Sequence, residues 1–364
     1  PDEARLILMY HAVAGMVASS DLSAGVVMTA AQLSVVVGTE GGVTLNGGNT
    51  VAGGATVVSA DIPADNGMIH VIDRVLLPPT IADLVRYAGL TELGAAVAAA
   101  GLGETLAGEG PFTVFAPTNE AFPDDTSGLN VMQILTYHAL SGAVASSDVT
   151  SGPVTTLATQ SFGEGGNMTS INLSLLIDAS DGVRINDTAN VVIADVRATN
   201  GIVHVIDAVL VPLNVAQVAV AGGFTQLVAA VVASDPIPAQ LAGGDQAVPV
   251  LEALSTLSAL TVFAPTDAAF AAAFPNGLPA DGGAILGVLA GHAVAGAAPV
   301  MAAGLPADAT AQVPALVGSL TFDSSATPPT VSLVAGSTAN IVATDIGATN
   351  GVVHVIDAVL MPTP

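Results

Sequence analysis

Two stretches of the chain carry apolar residues at the three- and four-residue spacing of an amphipathic helix. The first stretch has its apolar positions at Ile81, Leu84, Val85 and Ala88. Thr80 with Asp83 stands at its start as a pair of the capping-box type, and Asn214 with Gln217 precedes the second stretch in the same way. We therefore expect one helix to begin after Thr80 and another after Asn214.

The residues that follow predict a second helix, a short strand and a third helix. Thr91 can cap the second helix, which we expect to run through Val97. Thr113 to Ala116 is a short apolar run typical of a strand, and Pro117 stops it. Thr118 can then cap the third helix.

The later part of the same segment predicts strands. Ile171 to Ile177, Val191 to Asp195 and Ile202 to Leu210 are rich in Val, Ile and Leu. Asn200-Gly201 is a pair typical of a tight hairpin, because both residue types tolerate positive φ. Helices followed by strands within one unit indicate an α+β fold.

A box of the form Asn-Gly-x-(Ile/Val)-His-Val-Ile-Asp occurs three times, which marks the chain as internally repeated. An Asp lies five residues before each copy, at Asp61, Asp195 and Asp345. The candidate site residues in the three copies are Asn66, His70 and Asp73; Asn200, Gly201, His204 and Asp207; and Asn350, Gly351, His354 and Asp357.

Two further motifs recur. The box Thr-Val-Phe-Ala-Pro-Thr-(Asn/Asp)-x-Ala-Phe occurs twice, and its candidate site residues are Thr113, Val114, Phe115, Ala116, Pro117 and Thr118, with Thr261, Phe263 and Pro265. A Tyr-His pair or its degenerate form occurs three times, as Tyr10-His11, Tyr137-His138 and Gly291-His292. All six histidines of the chain lie in these motifs.

The order of the motifs divides the chain into a half repeat and two full repeats. We place the half repeat at residues 1–79 and the full repeats at residues 80–212 and 213–364. The half repeat lacks the helices and the Thr-Val-Phe box of the others. Because the junctions are a Pro and a residue or two, we expect neighbouring repeats to be held in fixed orientation.

Composition narrows the classes of function. The 364 residues include 30 acidic and five basic ones, all five arginine, for a formal net charge of −25. A chain this acidic cannot neutralise phosphates, which excludes a nucleic-acid binder and predicts repulsion from anionic membranes. Charged residues make up only 10% of the chain, and apolar residues 51%. Such a weakly charged surface favours packing against copies of the same protein. The longest uncharged stretch is broken by Gly, His and Pro, so we interpret it as core and predict no membrane span.

The three motifs, in their order and spacing, resemble the fasciclin-like domain over essentially the whole chain. The resemblance implies a compact β-sandwich or wedge with N-terminal helices packed against it. It also implies an extracellular or cell-surface location and a role in adhesion or matrix assembly. The Ala/Gly/Val-rich, lysine-free composition suggests a bacterial source.

The His-Val-Ile-Asp box has two interpretations. His204 and Asp207 each share a strand face with apolar residues, so we expect both to be at least partly buried. The resemblance implies that adhesion motifs lie in the two boxes, which would make this a recognition strand. The structural alternative, which we favour, is that His and Asp bond to backbone or turn groups and hold the hairpin.

The motifs predict neither a metal site nor a catalytic site. The histidines show no metal-ligand spacing, and no nucleophile–base arrangement or Walker loop is present. Pro123-Asp124-Asp125 and Asp178 to Asp187 offer oxygen ligands without an EF-hand pattern. We predict a non-enzymatic protein without a cofactor, with calcium as the minor alternative to a solvated acidic surface.

Two hypotheses of function follow. The first is a structural protein, a tandem fasciclin-like array that assembles with itself or with neighbouring matrix proteins into a filament, sheath or matrix. The second is a monomeric cell-surface adhesin that binds a polysaccharide or a partner protein. The half repeat leaves an apolar sheet face uncovered, so we expect its missing half either upstream, which is simpler, or from another subunit.

Overall fold

The structure is a computed structural model that describes residues 2–123, 130–163, 166, 168–234, 252, 254–255, 257–305, 312–334 and 336–361. The chain forms two compact units. The first consists of Pro1–Thr150 with Asp178–Leu210, and the second of Ser151–Ile177 with Val211–Pro364. The predicted repeat boundaries are a property of the motifs and stay a prediction.

The first unit begins with helix α1 and an antiparallel sheet of order β1-β2-β3-β4-β5. The bounds are Asp2–Tyr10 for α1, Gly25–Met28 for β1, Ser34–Gly38 for β2, Thr44–Leu45 for β3, Ala55–Ala64 for β4 and Gly67–Ile72 for β5. The core of this part is formed by Tyr10, Leu33, Val35, Val37, Ala55 and Leu76.

The rest of the first unit has three helices before its strands. The helices are α2 Ile81–Tyr87, α3 Thr91–Ala99, α4 Gly103–Ala107 and, later, α5 Val131–Tyr137. The strands are β6 Phe112–Pro117, β7 Ala139–Ser141, β10 Arg184–Ile185, β11 Ala189–Ala198 and β12 Gly201–Ile206, which lie in the order β7-β6-β12-β11-β10. β6 and β12 are parallel, and α2 packs against β11 and β12.

The second unit contains the antiparallel hairpin of β8 Gly152–Phe162 and β9 Thr169–Asp178 and a seven-stranded sheet. Its helices are α6 Val215–Ala221, α7 Thr225–Ala233, α8 Asp267–Ala273 and α9 Gly282–Ala290. Its sheet has the order β14-β13-β19-β18-β17-β16-β15, with bounds β13 Leu260–Pro265, β14 Ala293–Ala295, β15 Gln312–Pro314, β16 Ser319–Asp323, β17 Thr330–Leu333, β18 Thr338–Ala348 and β19 Gly351–Ile356.

The predicted α+β class is therefore confirmed, and so is the first helix of each full repeat. Thr80 with Asp83 and Asn214 with Gln217 both form complete capping boxes. In each box the side chain of the cap accepts a hydrogen bond from a backbone N–H that has no partner inside the helix.

Several finer predictions were wrong. Thr91 is the first residue of α3 rather than its cap, and Thr118 makes no capping bond and precedes a 3₁₀ turn, Asn119–Ala121. In the other full repeat, Thr266 does cap α8. The strand predicted as far as Leu210 ends at Ile206.

Candidate functional site

The two boxes of each full repeat lie on neighbouring parallel strands. β6 carries the Thr-Val-Phe-Ala-Pro residues and pairs with β12 in a register that places Phe115 beside His204. β13 and β19 pair in the same way and place Phe263 beside His354. The rings of each pair stack, with centroids 5.7 Å apart in the first and 5.3 Å in the second. The site is therefore a histidine–phenylalanine core at the centre of each sheet.

The threonine of the Thr-Val-Phe box joins its strand to the next loop. Thr113 Oγ1 donates to the Gly142 carbonyl at 2.7 Å and accepts from the Val144 N–H at 2.8 Å. Thr261 Oγ1 accepts from the Val300 N–H at 2.7 Å. The remaining residues of this box fill the strand or end it: Val114 and Ala116 are buried, Pro117 and Pro265 close their strands, and Thr118 follows.

The histidine of the His-Val-Ile-Asp box bonds to two backbone groups. His204 Nδ1 accepts from the Asp195 N–H at 3.2 Å, so Nε2 carries the proton and donates to the Val144 carbonyl at 3.0 Å. The equivalent distances are 3.2 and 2.9 Å for His354 with Asp345 and Val300, and 3.4 and 2.8 Å for His70 with Asp61 and Val17. Burial lowers the pKa of His354.

The aspartate that precedes each copy of this motif lies at a bulge. Asp61, Asp195 and Asp345 all have φ near +60°, at 60°, 59° and 59°, and the ladder of β11 with β12 shifts register at this point. Asp195 accepts from Ser146 N at 2.8 Å and from Ser146 Oγ at 2.5 Å. Burial acts to raise the pKa of Asp195, but the pKa is lowered overall, chiefly by the two hydrogen bonds from Ser146 and further by the positive charge of Arg197.

The histidine of each Tyr-His pair joins a helix to the segment that closes the repeat. His138 Nδ1 donates to the Ile134 carbonyl at 2.8 Å, and Nε2 accepts from the Leu210 N–H at 2.9 Å. The same bonds join His292 to Val288 and Leu360, at 2.8 Å each, and His11 to Ile7 and Leu76, at 2.7 and 3.0 Å. Burial lowers the pKa of both His138 and His292 to about 4, so both are neutral at pH 7.

The tyrosines of these pairs are buried and bonded to an asparagine that sequence reasoning missed. Tyr137 Oη accepts from Asn186 Nδ2 at 3.0 Å, and Tyr10 Oη accepts from Asn46 Nδ2 at the same distance. Burial raises the pKa of Tyr10. No local pattern links a tyrosine to an asparagine so far along the chain, although both asparagines have positive φ. Gly291 takes the tyrosine position in the last repeat.

Asn200 and Asn350 join the strand hairpin to the helices. Asn200 Oδ1 accepts from the Ile81 N–H at 2.9 Å, and its amide nitrogen donates to the carbonyls of Leu106 and Gly108. Asn350 bonds in the same way to Val215, Leu254 and Leu257. Asn66, in the half repeat, is exposed.

The prediction that Asn200-Gly201 forms the turn was wrong by one residue. Ala198 pairs with Gly201, so the turn residues are Thr199 and Asn200. Glycine is needed at 201 because a Cβ atom would lie 2.0 Å from the Phe112 carbonyl oxygen. Gly351 makes the same approach to the Leu260 carbonyl, at 2.2 Å.

The burial of His204 is confirmed, but the predicted burial of Asp207 was wrong. Asp207 lies just past the end of β12 and is exposed, since the strand stops before it. It accepts from Asn190 N at 2.6 Å and from Asn190 Nδ2 at 2.9 Å, which lowers its pKa. Asp357 bonds in this way to Asn340, and Asp73 to Thr56 and Asn49.

These contacts are the hydrogen bonds that the structural interpretation of the boxes requires. The imidazole, amide, hydroxyl and carboxylate groups of the motif residues form hydrogen bonds with backbone groups, and these bonds hold strands and helices together. A part in recognition stays a prediction for these residues. The arrangement brings the two boxes of each full repeat together with its Tyr-His or Gly-His pair, because the Phe115 and Phe263 N–H groups donate to the His138 and His292 carbonyls. Spacing along the chain did not reveal this.

Neither a metal cluster nor a membrane helix is found in the part of the chain that the structure describes. There, no three His, Asp or Glu side chains are grouped so that they could hold a metal ion. Asp187 forms an ion pair with Arg184 at 2.9 Å. The predicted acidic pair Asp124-Asp125 lies outside the described residues. No helix within the described ranges is long and apolar enough to cross a bilayer.

Comparison with known proteins establishes the family. The model of the Fasciclin domain matches residues 1–78, 88–212 and 223–362. These segments make up most of the chain, so the chain belongs to the Fasciclin domain family. The resemblance carried by the three motifs is confirmed.

Several known proteins are similar in sequence to parts of this chain. Protein sll1483 of Synechocystis sp. is 42% identical over 132 residues, which cover 33% of this chain and 66% of that protein. The transforming growth factor-beta-induced protein ig-h3 of Sus scrofa is 32% identical over 226 residues, which cover 56% of this chain and 30% of that protein. This chain therefore spans less than two thirds of either relative. A solved FAS1 domain pair from the insect cell adhesion molecule Fasciclin I aligns with a TM-score of 0.43 and 18% identity, over 75% of this chain and 96% of that one.

Proposed function

We propose that this protein is a non-enzymatic adhesion protein of the cell surface or extracellular matrix, of bacterial origin, that assembles with itself into a filament, sheath or matrix. Its fasciclin-domain relatives are adhesion and extracellular proteins, which supports the class of function. A cyanobacterial relative supports the source. The proposal requires no cofactor.

The observation that carries self-assembly is a junction between consecutive repeats in which the same type of hydrogen bond occurs twice. In the first unit Ser34 Oγ, on strand β2, accepts from the Arg197 N–H on β11 at 2.8 Å. In the second unit Ser174 Oγ, on strand β9, accepts from the Gly347 N–H on β18 at 3.0 Å. Both serines are buried. A head-to-tail contact that is reused along one chain is of the kind that can continue from chain to chain.

The surface composition supports the same proposal and predicts its response to salt. With a net charge of −25 on a weakly charged chain, copies repel each other at low ionic strength. Added salt screens that repulsion, while apolar contacts between copies are unaffected or strengthened. Assembly should therefore increase with salt concentration.

Light scattering combined with negative-stain electron microscopy, at low and high salt, tests the proposal. We expect regular filaments or sheets, and a mass many times 35.5 kDa, at high salt. The same samples with EDTA and with added calcium form the control, and we expect no difference between them. A monomer at every salt concentration would contradict self-assembly, and assembly that requires calcium would contradict the cofactor-free form.

One cavity favours the second candidate, a monomeric adhesin that binds a polysaccharide. The cavity lies in the first unit and has a volume of about 580 Å³. Its lining includes Gln32, Thr80, Glu109, Arg197 and Thr199. Such polar side chains can bond to sugar hydroxyls. A glycan array checks this candidate, with Arg197→Ala expected to abolish a hit and Arg184→Ala, whose partner is Asp187, expected to leave it unchanged.

A further inference from the structure

The first unit contains an apolar cavity where its two repeats meet. The cavity has a volume of about 250 Å³. Residues of β1 and β2 form one wall, and residues of α2, β11 and β12 contribute to the other. Every lining residue is alanine, glycine, valine, leucine or isoleucine. The side chains around this space therefore offer no polar atom to a ligand.

This cavity is too large for a packing defect and too apolar to hold water. Voids larger than a water molecule are few in protein interiors, and the share of one water in the liquid is about 30 Å³. A buried water also needs several polar partners, which the lining side chains do not provide. An apolar cavity of this kind stays dry and can take up an apolar molecule instead.

The lining runs from the surface into the interior of the first unit. Val26 on β1 is 38% exposed, and Ile193 on β11 is 43% exposed. Leu84 on α2 and Val203 on β12 also line the cavity, and both are buried. A molecule can therefore enter between Val26 and Ile193 and reach the buried part of the lining.

The second unit provides an internal reference for this part of the fold. Ser34 and Ser174 make the same bond to the following repeat, so that Val36, two residues after Ser34, corresponds to Leu176. Three lining residues have larger counterparts in the second unit. The pairs are Val36 and Leu176, Leu90 and Phe224, and Val196 and Ile346. The three larger residues belong to one continuous buried core.

A fourth position shows how the ring of Phe224 is accommodated. A Cβ atom on Gly222 would lie 2.6 Å from this ring, so the ring needs glycine there. The counterpart of Gly222 is Ala88, which carries a Cβ atom and lines the cavity together with Leu90. The first unit therefore has the two residues that keep an aromatic ring out of this space.

The total volume of the lining side chains is not what separates the two units. Leu84 and Ile193 are larger than their counterparts, Val218 and Ala343. The cavity depends instead on which positions carry the larger side chains. Because the counterparts of Val36 and Leu90 pack into one core in the second unit, residues of the same elements are able to fill this space.

We propose that this cavity binds a compact apolar molecule of about ten carbon atoms, which bridges the two repeats of the first unit. An apolar cavity of about 150 Å³ accommodates benzene, so a cavity of about 250 Å³ takes a proportionally larger hydrocarbon. A charged ligand is disfavoured, because its desolvated charge would find no partner in this lining. The proposal is independent of self-assembly, since the site lies within one chain.

Isothermal titration calorimetry of the 364-residue protein with p-cymene, a hydrocarbon of this size, tests the proposal. We expect saturable binding, and at least about tenfold weaker binding of 4-isopropylbenzoate, which has the same shape but carries a carboxylate. Bound p-cymene should also raise the unfolding temperature of the first unit, because it binds the folded state. Absence of saturable p-cymene binding, or equal binding of the two compounds, would overturn the proposal.

The location of the site is tested by filling the cavity with residues of the second unit. The double variant Ala88→Gly, Leu90→Phe introduces the pair found at positions 222 and 224, and we expect at least about tenfold weaker binding of p-cymene. The single variant Val36→Leu fills the other wall and gives the same test without a change in the helical layer. Unchanged binding by these variants, once circular dichroism shows that they are folded, would overturn the assignment.

Val192→Leu is the matched control. Val192 precedes Ile193 on β11, is 53% exposed and does not belong to the lining. The variant adds the same volume as Val36→Leu but outside the cavity, so we expect it to bind p-cymene like the unaltered protein. An equal loss of binding in the Val192 and Val36 variants would place the ligand elsewhere and overturn the proposed site.

Discussion

At the scale of single residues, His138 and His292 are structural groups that must stay neutral. His138 and His292 are buried, and each accepts a hydrogen bond from a backbone N–H through Nε2. Protonation would remove that acceptor and place a charge in an apolar core. Acid should therefore act on the fold through these two residues before it acts on the carboxylates.

We predict that the free energy of unfolding falls as the pH is lowered from about 6.5 to 4. The unfolded histidine binds a proton below its ordinary pKa of 6.5, whereas the folded pKa of His138 and of His292 is about 4. The stabilisation is thus fully present above pH 6.5 and is lost as the pH approaches 4, on the order of 3 kcal/mol for each histidine. Urea unfolding midpoints at several pH values measure it.

The His138→Gln variant is the control for this prediction. Glutamine cannot titrate in this range, so the transition of the first unit should become less dependent on pH, while that of the second unit, which contains His292, should not change. Urea midpoints that are the same at pH 7 and pH 4.5 in the unaltered protein would contradict the argument.

Residue patterns predicted the burial of His204 correctly, but the burial that they predicted for Asp207 was wrong. Alternation along a strand gives the face of a residue only while the strand continues, and Asp207 lies beyond its end. The sequence also could not predict the hydrogen bonds of the aspartate at the bulge or the bond between tyrosine and asparagine, because each of these bonds joins residues that are distant in the chain. Asp195 bonds to Ser146, and Tyr137 to Asn186.

At the scale of elements, the second helix of each full repeat is capped from a distance. α7 begins at Thr225, and its Gln226 N–H donates to Asp267 Oδ1 at 2.9 Å. α3 begins at Thr91, and its Glu92 N–H donates to Asn119 Oδ1 at 3.2 Å. Local sequence therefore predicted the helices but not their caps, since the capping side chain follows the Thr-Val-Phe-Ala-Pro strand. The cap also ties this strand to the helical layer.

We predict that Asp267→Ala destabilises the second unit by about 1 kcal/mol, the usual cost of losing an N-terminal helix cap. The variant loses two hydrogen bonds that Asp267 accepts, one from the Gln226 N–H and one from Thr225 Oγ1. Thermal unfolding measures the loss. Asp267→Asn keeps an oxygen acceptor and should retain most of the stability, so equal losses in the two variants would contradict a capping role.

At the scale of the whole molecule, each compact unit combines parts of consecutive repeats. The β8–β9 hairpin follows α5 and β7 in the chain, yet it belongs to the second unit. Repetition of motifs predicted the number and order of the repeats, but it carries no signal for a hairpin that packs on the next repeat. The hairpin contacts the following repeat at Gly347, which lies on strand β18.

The final prediction concerns that junction. A Cβ atom on Gly347 would lie 1.9 Å from the Asn172 carbonyl oxygen, so Gly347→Ala must push the β8–β9 hairpin away from β18. We expect faster amide hydrogen exchange in residues 152–162 and 168–177 and, if assembly uses the same kind of junction, less assembly at high salt.

Arg197→Ala is the matched control, because residue 197 occupies the same position in the first unit and already carries a Cβ atom. Unchanged exchange in the Gly347 variant would show that the hairpin does not depend on this contact, and loss of assembly in the Arg197 variant alone would place the assembly contact elsewhere.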